Sequence, residues 1–209
     1  MIPVKILALQ YIPNATPALC RALGADPQFP SLGLVTTDCD DATYIALDEA
    51  TKAADAAVCY GRSFYAGAAN ASTPNAGEVI GILCARTPGA IRSAMDAFGS
   101  ALERVGFEQA GDVPYLAHTV SSCGSYLAKE AGVRVGSALS YLIAPPLEAM
   151  VAMDAALKAS DVRLCKLYPP PSETNFAGGL LTGTQAACAA ACAAFAETVR
   201  RIANQPVEQ

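Results

Sequence analysis

The sequence predicts a tandem pair of domains of mixed α/β or α+β architecture, and three observations lead there. Residues 46–59 (Ala-Leu-Asp-Glu-Ala-Thr-Lys-Ala-Ala-Asp-Ala-Ala-Val-Cys) return at residues 152–165 (Ala-Met-Asp-Ala-Ala-Leu-Lys-Ala-Ser-Asp-Val-Arg-Leu-Cys). The two stretches match at Ala46/Ala152, Asp48/Asp154, Ala50/Ala156, Lys52/Lys158, Ala53/Ala159, Asp55/Asp161 and Cys59/Cys165, a constant offset of 106. Strand-like runs alternate with helical periodicity in both halves, the pattern of helices laid on sheets. Finally, a chain of 209 residues divides into halves of ordinary small-domain size. A repeat of half the chain marks a duplicated domain, not a short-period solenoid.

Composition sets the remaining bounds. Apolar residues make up 53% of the chain, Trp is absent and Ala is abundant, so the interior is built from small side chains that let elements approach closely. A net charge of −5 with scattered Lys and Arg gives no footprint for a polyanion, which argues against nucleic acid as a partner. The opening apolar run is broken by Pro3, Pro13 and Pro17 and lacks a signal-peptide pattern, and no run reaches the length of a membrane span. The chain reads as soluble and cytoplasmic. Its eight cysteines form no CxxC pair and sit mostly in apolar segments, as expected of reduced, packed thiols.

In chain order, the proline-rich lead of residues 1–30 holds one helix signal, Thr16-Pro17, for a short helix to Leu23. Ser31 to Thr36 is a strand. Asp38-Cys39-Asp40-Asp41 introduces a helix over about 42–55, in which Asp48 precedes Lys52 by four residues in the favoured order. Ala56 to Tyr60 is a strand and 61–77 a long small-residue loop, a length that in compact domains points to function or disorder. Glu78 to Cys84 is a strand; Thr87-Pro88 opens a helix with Ile91, Ala94, Met95, Phe98, Leu102 and Val105 on one face, ended by Gly106. The second half repeats the plan with strands at 113–120, 138–144 and 162–167. Its helices follow Pro145-Pro146 and Thr184, and a loop runs from Tyr168 to Asn175 before a short run at Leu180-Leu181-Thr182. Phe195 answers Phe98 at an offset of 97, so the loop between is nine residues shorter.

Catalytic chemistry finds little purchase. The single histidine, His118, would need Ser121, Ser122 or Cys123 as its nucleophile, and strand alternation places only Ser122 on its face. A hydrogen-bonded structural histidine is the ordinary reading. Cys188 and Cys192 belong to the apolar stripe of the last helix rather than to a metal site. Gly178-Gly179 and Thr182-Gly183-Thr184 match no phosphate loop and are explained by a turn and a helix cap. The carboxylates Asp38, Asp40 and Asp41 either hold a small cation or cap the helix they precede. Glu78, opening a strand after a long loop, either lines an opening or is a solvated strand end. Lys52 and Lys158 are either solvated helix positions or an edge contact used twice.

These segments resemble a known family. The repeated Lys-Ala-Ala-Asp and Lys-Ala-Ser-Asp-Val stretches resemble the Lys-Ala-Ala-Asn-Val helix of the shell proteins of bacterial microcompartments (BMC). The ethanolamine-utilization members are nearest, through Ser31-Leu-Gly-Leu34, Asp38–Asp41, Tyr60-Gly-Arg-Ser63, Ala76-Gly-Glu-Val79, Gly124-Ser-Tyr-Leu127, Ala144–Ala149, Pro169–Asn175 and Leu181–Cys188. The likeness runs from about residue 31 to the C-terminus. It departs at Ser122-Cys123, where the family carries Arg-Thr.

The resemblance implies two tandem, circularly permuted BMC domains of ferredoxin-like α+β type, residues 1–108 and 109–209. It implies a structural, non-catalytic homotrimer that forms a pseudohexameric disc and tiles edge to edge with other shell proteins of the microcompartment. Lys52 and Lys158 then match the tile-edge lysines. Small pores would pass ethanolamine, with Asp40 or Asp41, Glu78 and Phe107 as ligand residues. The loops 61–77 and 168–177 would supply a central gate. No cofactor and no metal is implied. An ammonium bearing a hydroxyl suits carboxylates beside an aromatic wall. The alternative reading is a cytoplasmic small-amine sensor using Asp40, Asp41 and Glu78 without tiling.

Overall fold

A computed structural model describes residues 1–64, 78–170 and 175–207. The fold is mixed α/β with two antiparallel sheets, distributed over two compact units: residues 3–106 with 124–127, and residues 1–2 with 107–123 and 128–209.

In the first of these units, β1 (Ile6–Ile12), β2 (Ser31–Thr37), β4 (Glu78–Ala85) and β3 (Ala56–Phe64) lie side by side in that order. Helices α2 (Asp40–Ala53) and α3 (Pro88–Leu102) pack on one face, where Leu47 of α2 reaches the backbone at Gly81 and Met95 of α3 that at Gly33. The alternate residues Leu32, Ile82 and Cys84 point the other way and form a second small core with Ala15, Cys20 and Ala25 around α1 (Pro17–Ala22). Covered on both faces, β2 and β4 read as continuous apolar runs rather than as alternating ones. Thr16 and Thr87 cap α1 and α3 through their hydroxyls, each with proline at the first helical position.

The other unit carries β5 (Glu108–Ala110), β6 (Val113–Val120), β7 (Ala138–Ala144), β9 (Ala177–Gly183) and β8 (Val162–Tyr168), again in spatial order. Helices α5 (Pro146–Ala159) and α6 (Gln185–Asn204) pack together over it, with Leu142, Met153, Leu181, Cys192, Phe195 and Val199 in one core. Thr184 caps α6 by accepting the Ala187 N–H at 3.1 Å. Cys192 belongs to this core, Cys188 is fully buried, and all eight cysteines are free thiols.

The order β1-β2-β4-β3 recurs as β6-β7-β9-β8, so the duplication reaches back through the lead, where the sequence signalled only the short helix that is α1. At an offset of 108 several backbone features repeat. Ala25 N–H donates to Cys20 O as Val133 N–H does to Ala128 O, and Gly24 and Gly132 share a left-handed φ of +72° and +63°. The lead therefore holds β1 and α1, the counterparts of β6 and α4 (Ser125–Ala131). β1, β5 and α4 were not expected from the sequence. Several bounds also differ. α2 begins at Asp40, β9 extends from Ala177, and α3 stops at Leu102 with Glu103 as its C-cap rather than running to Gly106. No helix of the described residues is long and apolar enough to cross a membrane.

Candidate functional site

The acidic cluster lies at the N-terminus of α2 and is buried, not solvated. Asp38, Asp40 and Asp41 are each less than a tenth exposed. The N-cap position belongs to Cys39, whose side chain makes no capping bond. Asp38 instead accepts the backbone N–H of Lys5 at 2.8 Å, tying the start of β1 to the start of α2. Asp40 accepts the Asp41 N–H at 2.8 Å on one oxygen and the Ser63 hydroxyl at 2.6 Å on the other. Ser63 reaches it because β3 continues past Tyr60, where the sequence reading ended the strand, to Phe64. Carboxylates at this end of a helix also meet the positive end of its dipole. Burial first, and then the charges of Asp41 and Asp40, push the Cys39 thiol well up. Burial and then Asp40 do the same to the Tyr44 phenol, so both stay neutral. Tyr44 stands with its ring 6.0 Å from that of Tyr126. The result is a concentration of buried acceptors and hydroxyls, suited chemically to a cation that also donates hydrogen bonds. Tyr44, Ser63 and Tyr126 were not singled out by the sequence.

The remaining candidates fall as follows. Glu78 opens β4 opposite Phe64, one position along from the Ser63–Val79 pair, and its side chain lies outside the described residues. Phe107 belongs to the other unit, fully buried with its ring 5.5 Å from that of Phe176. Most of the two loops read as gate elements, residues 65–77 and 171–174, lies outside the described residues. Lys52 and Lys158 are both exposed, on the last turns of α2 and α5. Lys52 pairs with Glu49 and Lys158 with Asp154, each at 2.5 Å. His118 sits in β6 opposite Tyr141, and β6 ends at Val120, so strand alternation does not extend to Ser122. Cys123 is buried with its Sγ 3.6 Å from Arg134 O, and Ser121 accepts from Gln185 at 3.1 Å. No group of three metal-binding side chains occurs among the described residues.

Asp48 has a different office. Fully buried, it accepts the backbone N–H of Gly124 at 2.6 Å and of Leu127 at 2.8 Å, capping α4 from a helix more than seventy residues away. Gly124 permits this approach: a Cβ there would stand 2.3 Å from Thr51 Oγ1 and 2.6 Å from Asp48 O. Burial lifts the Asp48 carboxyl above its ordinary value, against the opposing pull of the two N–H groups and of Lys52.

No family model matches the sequence. The chain is 54% identical over 211 residues to the bacterial microcompartment shell protein EutL of Clostridium perfringens, covering 99% of this chain and 97% of that one. It is 46% identical over 213 residues to EutL of Salmonella typhimurium, covering 100% and 97%. The crystal structure of the ethanolamine utilization protein EutL from Leptotrichia buccalis superposes with a TM-score of 0.94 at 52% identity, covering 100% of this chain and 98% of that one.

Proposed function

Because the chain belongs to the EutL family of bacterial microcompartment shell proteins, a structural family without catalysis, we propose that it forms a trimeric plate of that shell in ethanolamine utilization. Each copy supplies two circularly permuted shell domains, residues 1–108 and 109–209, apart from the short segments 1–2 and 124–127 that cluster with the opposite half. Three copies of a two-repeat chain approximate sixfold symmetry and close without leaving an unsatisfied end. The recurrence of one strand order in both sheets is the observation that supports this reading most directly. Family membership favours it over a stand-alone amine sensor.

The plates meet other shell proteins along rims that carry Lys52 and Lys158, both exposed and each held by a carboxylate on its own helix. Small pores pass ethanolamine, its ammonium and hydroxyl met by Asp40 or Asp41 and by Glu78, and a central gate is built from the loops 61–77 and 168–177. Buried carboxylates beside hydroxyls give the charge-assisted acceptors such a ligand needs.

Electron microscopy of the purified protein at high concentration tests the tiling: flat arrays of discs are expected from the wild type and isolated discs from K52A/K158A. Arrays that survive the double substitution would remove the lysines from the rim. Calorimetric titration with ethanolamine tests the pore, with heat expected for the wild type and reduced heat for D41N. Absence of heat from the wild type at millimolar ligand would end the pore assignment.

A further inference from the structure

Three of the eight thiols gather on one face of the first sheet, around α1. Cys84 and Cys20 are buried in the small core that they share with Leu32 and Ile82, and Cys59 packs against it half-buried. Where β3 pairs with β4, Cys84 stands opposite Ala57, and Cys59 is the residue skipped between the Val58–Leu83 and Tyr60–Ile82 pairs. In a regular ladder residues so placed would be diagonal neighbours, with Cα atoms about 7–8 Å apart. The skipped residue moves the rest of β3 along by one. It leaves Cys59 nearer to Cys84 than a regular ladder would, toward the roughly 4.4–6.8 Å that a disulfide spans. The Cys59 Sγ is turned onto β4, 3.4 Å from Ile82 O, and the two thiols share a hydrogen bond. That bond lowers the Cys84 thiol and, together with burial, raises that of Cys59. The second sheet supplies the contrast. Cys165 is skipped in the same way, between Leu164–Leu181 and Lys166–Leu180, but the place of Cys84 is taken there by Thr182, whose hydroxyl donates to Ala138 O at 2.8 Å.

We propose that Cys59 and Cys84 form a redox-active dithiol, which low-molecular-weight disulfides of the glutathione class oxidise reversibly to a cross-strand disulfide. Cys59 is the less buried of the two and so the sulfur that an outside disulfide reaches. Its attack breaks the sulfur–sulfur bond of the small molecule, forms a mixed disulfide on Cys59 and releases one small thiol. Cys84, the sulfur that the shared hydrogen bond favours as thiolate, then attacks the Cys59 sulfur and releases the second. One sulfur–sulfur bond is lost and one gained, and the two thiol protons end on the two small thiols. A bridge between near-diagonal positions is strained, and strained disulfides are the readily reduced ones, so a reducing compartment returns the pair to thiols. Cys20 is the third sulfur of the cluster, but its Sγ is directed at Ala15 O, 4.0 Å away. Both members of the pair lie in the first unit, so the inference depends on neither the plate nor the pore.

The test equilibrates the full-length protein in glutathione buffers from fully reduced to fully oxidised, quenches with acid, alkylates the free thiols in denaturant and counts them by mass spectrometry. The wild type is expected to lose two of its eight thiols together, in one transition that dithiothreitol reverses, with the Cys59 and Cys84 peptides joined. C84T installs the residue that the second sheet carries; it is expected to form no bridge and to hold a glutathione adduct on Cys59. C59S is expected to keep its remaining thiols, and C165S to oxidise as the wild type does. Retention of all eight thiols in the most oxidising buffer, a bridge from Cys59 to Cys20 or to any other thiol, or loss of two thiols from C84T would overturn the pair. A C84T chain without the adduct would overturn Cys59 as the attacking sulfur. Cys84 is buried, so circular dichroism accompanies each variant, and C84A replaces C84T if the fold is lost.

Discussion

Replacing Asp48 by Ala removes the acceptor of two backbone N–H groups at once. Gly124 and Leu127 are both buried, at 2.6 and 2.8 Å from the carboxylate, and the loss leaves them without that partner. Loss of an N-cap costs about 1 kcal/mol, and each buried donor left without a partner about 1–3 kcal/mol. D48A should therefore destabilise by about 2–5 kcal/mol, and D48N, which keeps one acceptor oxygen, by roughly half as much. Asp154 is the control supplied by the duplication. Its ion pair with Lys158 is exposed on both sides, so D154A should cost less than about 0.5 kcal/mol. Urea denaturation gives the totals, and hydrogen exchange at the Gly124 and Leu127 amides locates the effect. The pH dependence carries its own sign. Burial raises the folded-state carboxyl of Asp48, so the fold holds the proton more tightly than the unfolded chain does. The Asp48 contribution to stability is whole below the unfolded value of about 3.9, falls as pH rises through the folded value, and is level above it. D48N should lose that slope. Equal stabilities for D48A and D154A, with unchanged exchange at both amides, would refute the capping role.

Two glycines should respond oppositely to alanine. Gly178 has φ +154° and its Cβ would stand 1.9 Å from Leu142 O, a backbone atom that cannot rotate away, so G178A should cost about 3 kcal/mol or more in a denaturation midpoint. Gly99, inside α3 with nothing within 4 Å of its would-be Cβ, should gain about 0.5–1 kcal/mol as Ala. Tyr115 donates to Glu108 at 2.6 Å, and burial followed by this bond raises its phenol to about 12. Its contribution to stability is whole below about 10, the unfolded value, and lost as pH rises through about 12. Ultraviolet titration should show a phenolate forming near 12 that Y115F abolishes, apart from that of Tyr44, which is held higher still, and a Y115F curve matching the wild type would contradict the bond.

The duplication was legible because it survives as side chains where α2 and α5 run into the strands that follow them. It was illegible in the lead because the matching there is one of backbone only: Thr16-Pro-Ala-Leu19 and Gly124-Ser-Tyr-Leu127 share a single leucine, yet the bonds around them coincide. Prolines at 3 and 13 masked β1, whose edge position needs no ladder partner on one side. Gly178-Gly179 masked the start of β9, since glycine is a poor strand former, though neighbouring backbone leaves no room there for a side chain. The apolar face of α3 continues to Val105, so periodicity overran the true end at Leu102. At the site, the acidic residues were visible but their burial was not. It depends on Ser63 and Lys5, which only the register of β3 and β1 brings to them.

What the two halves kept and what they changed divide along a physical line. Cys59 and Cys165 occupy the same irregularity, the residue skipped where β3 pairs with β4 and where β8 pairs with β9. Their thiols lie against different carbonyls, Ile82 O at 3.4 Å and Arg163 O at 3.8 Å, so the shared feature is the bulge in the backbone rather than a contact of the sulfur. Gly24 and Gly132 likewise keep a conformation that a side chain would strain, and Ala46 and Ala152 keep a fully buried position. The pairs Thr16 with Gly124, Ile45 with Val151 and Thr51 with Leu157 have diverged: Gly124 donates its N–H to Asp48 and Thr51 accepts from the Ser125 N–H, whereas Thr16 and Val151 are exposed. A duplicated unit must preserve what its own backbone requires, but each copy is free to change the faces by which it is joined. The change from Gly124 to Thr16 and from Thr51 to Leu157 therefore follows a difference in bonding, since Asp48 caps α4 in one copy of the unit while Asp154 pairs with Lys158 in the other.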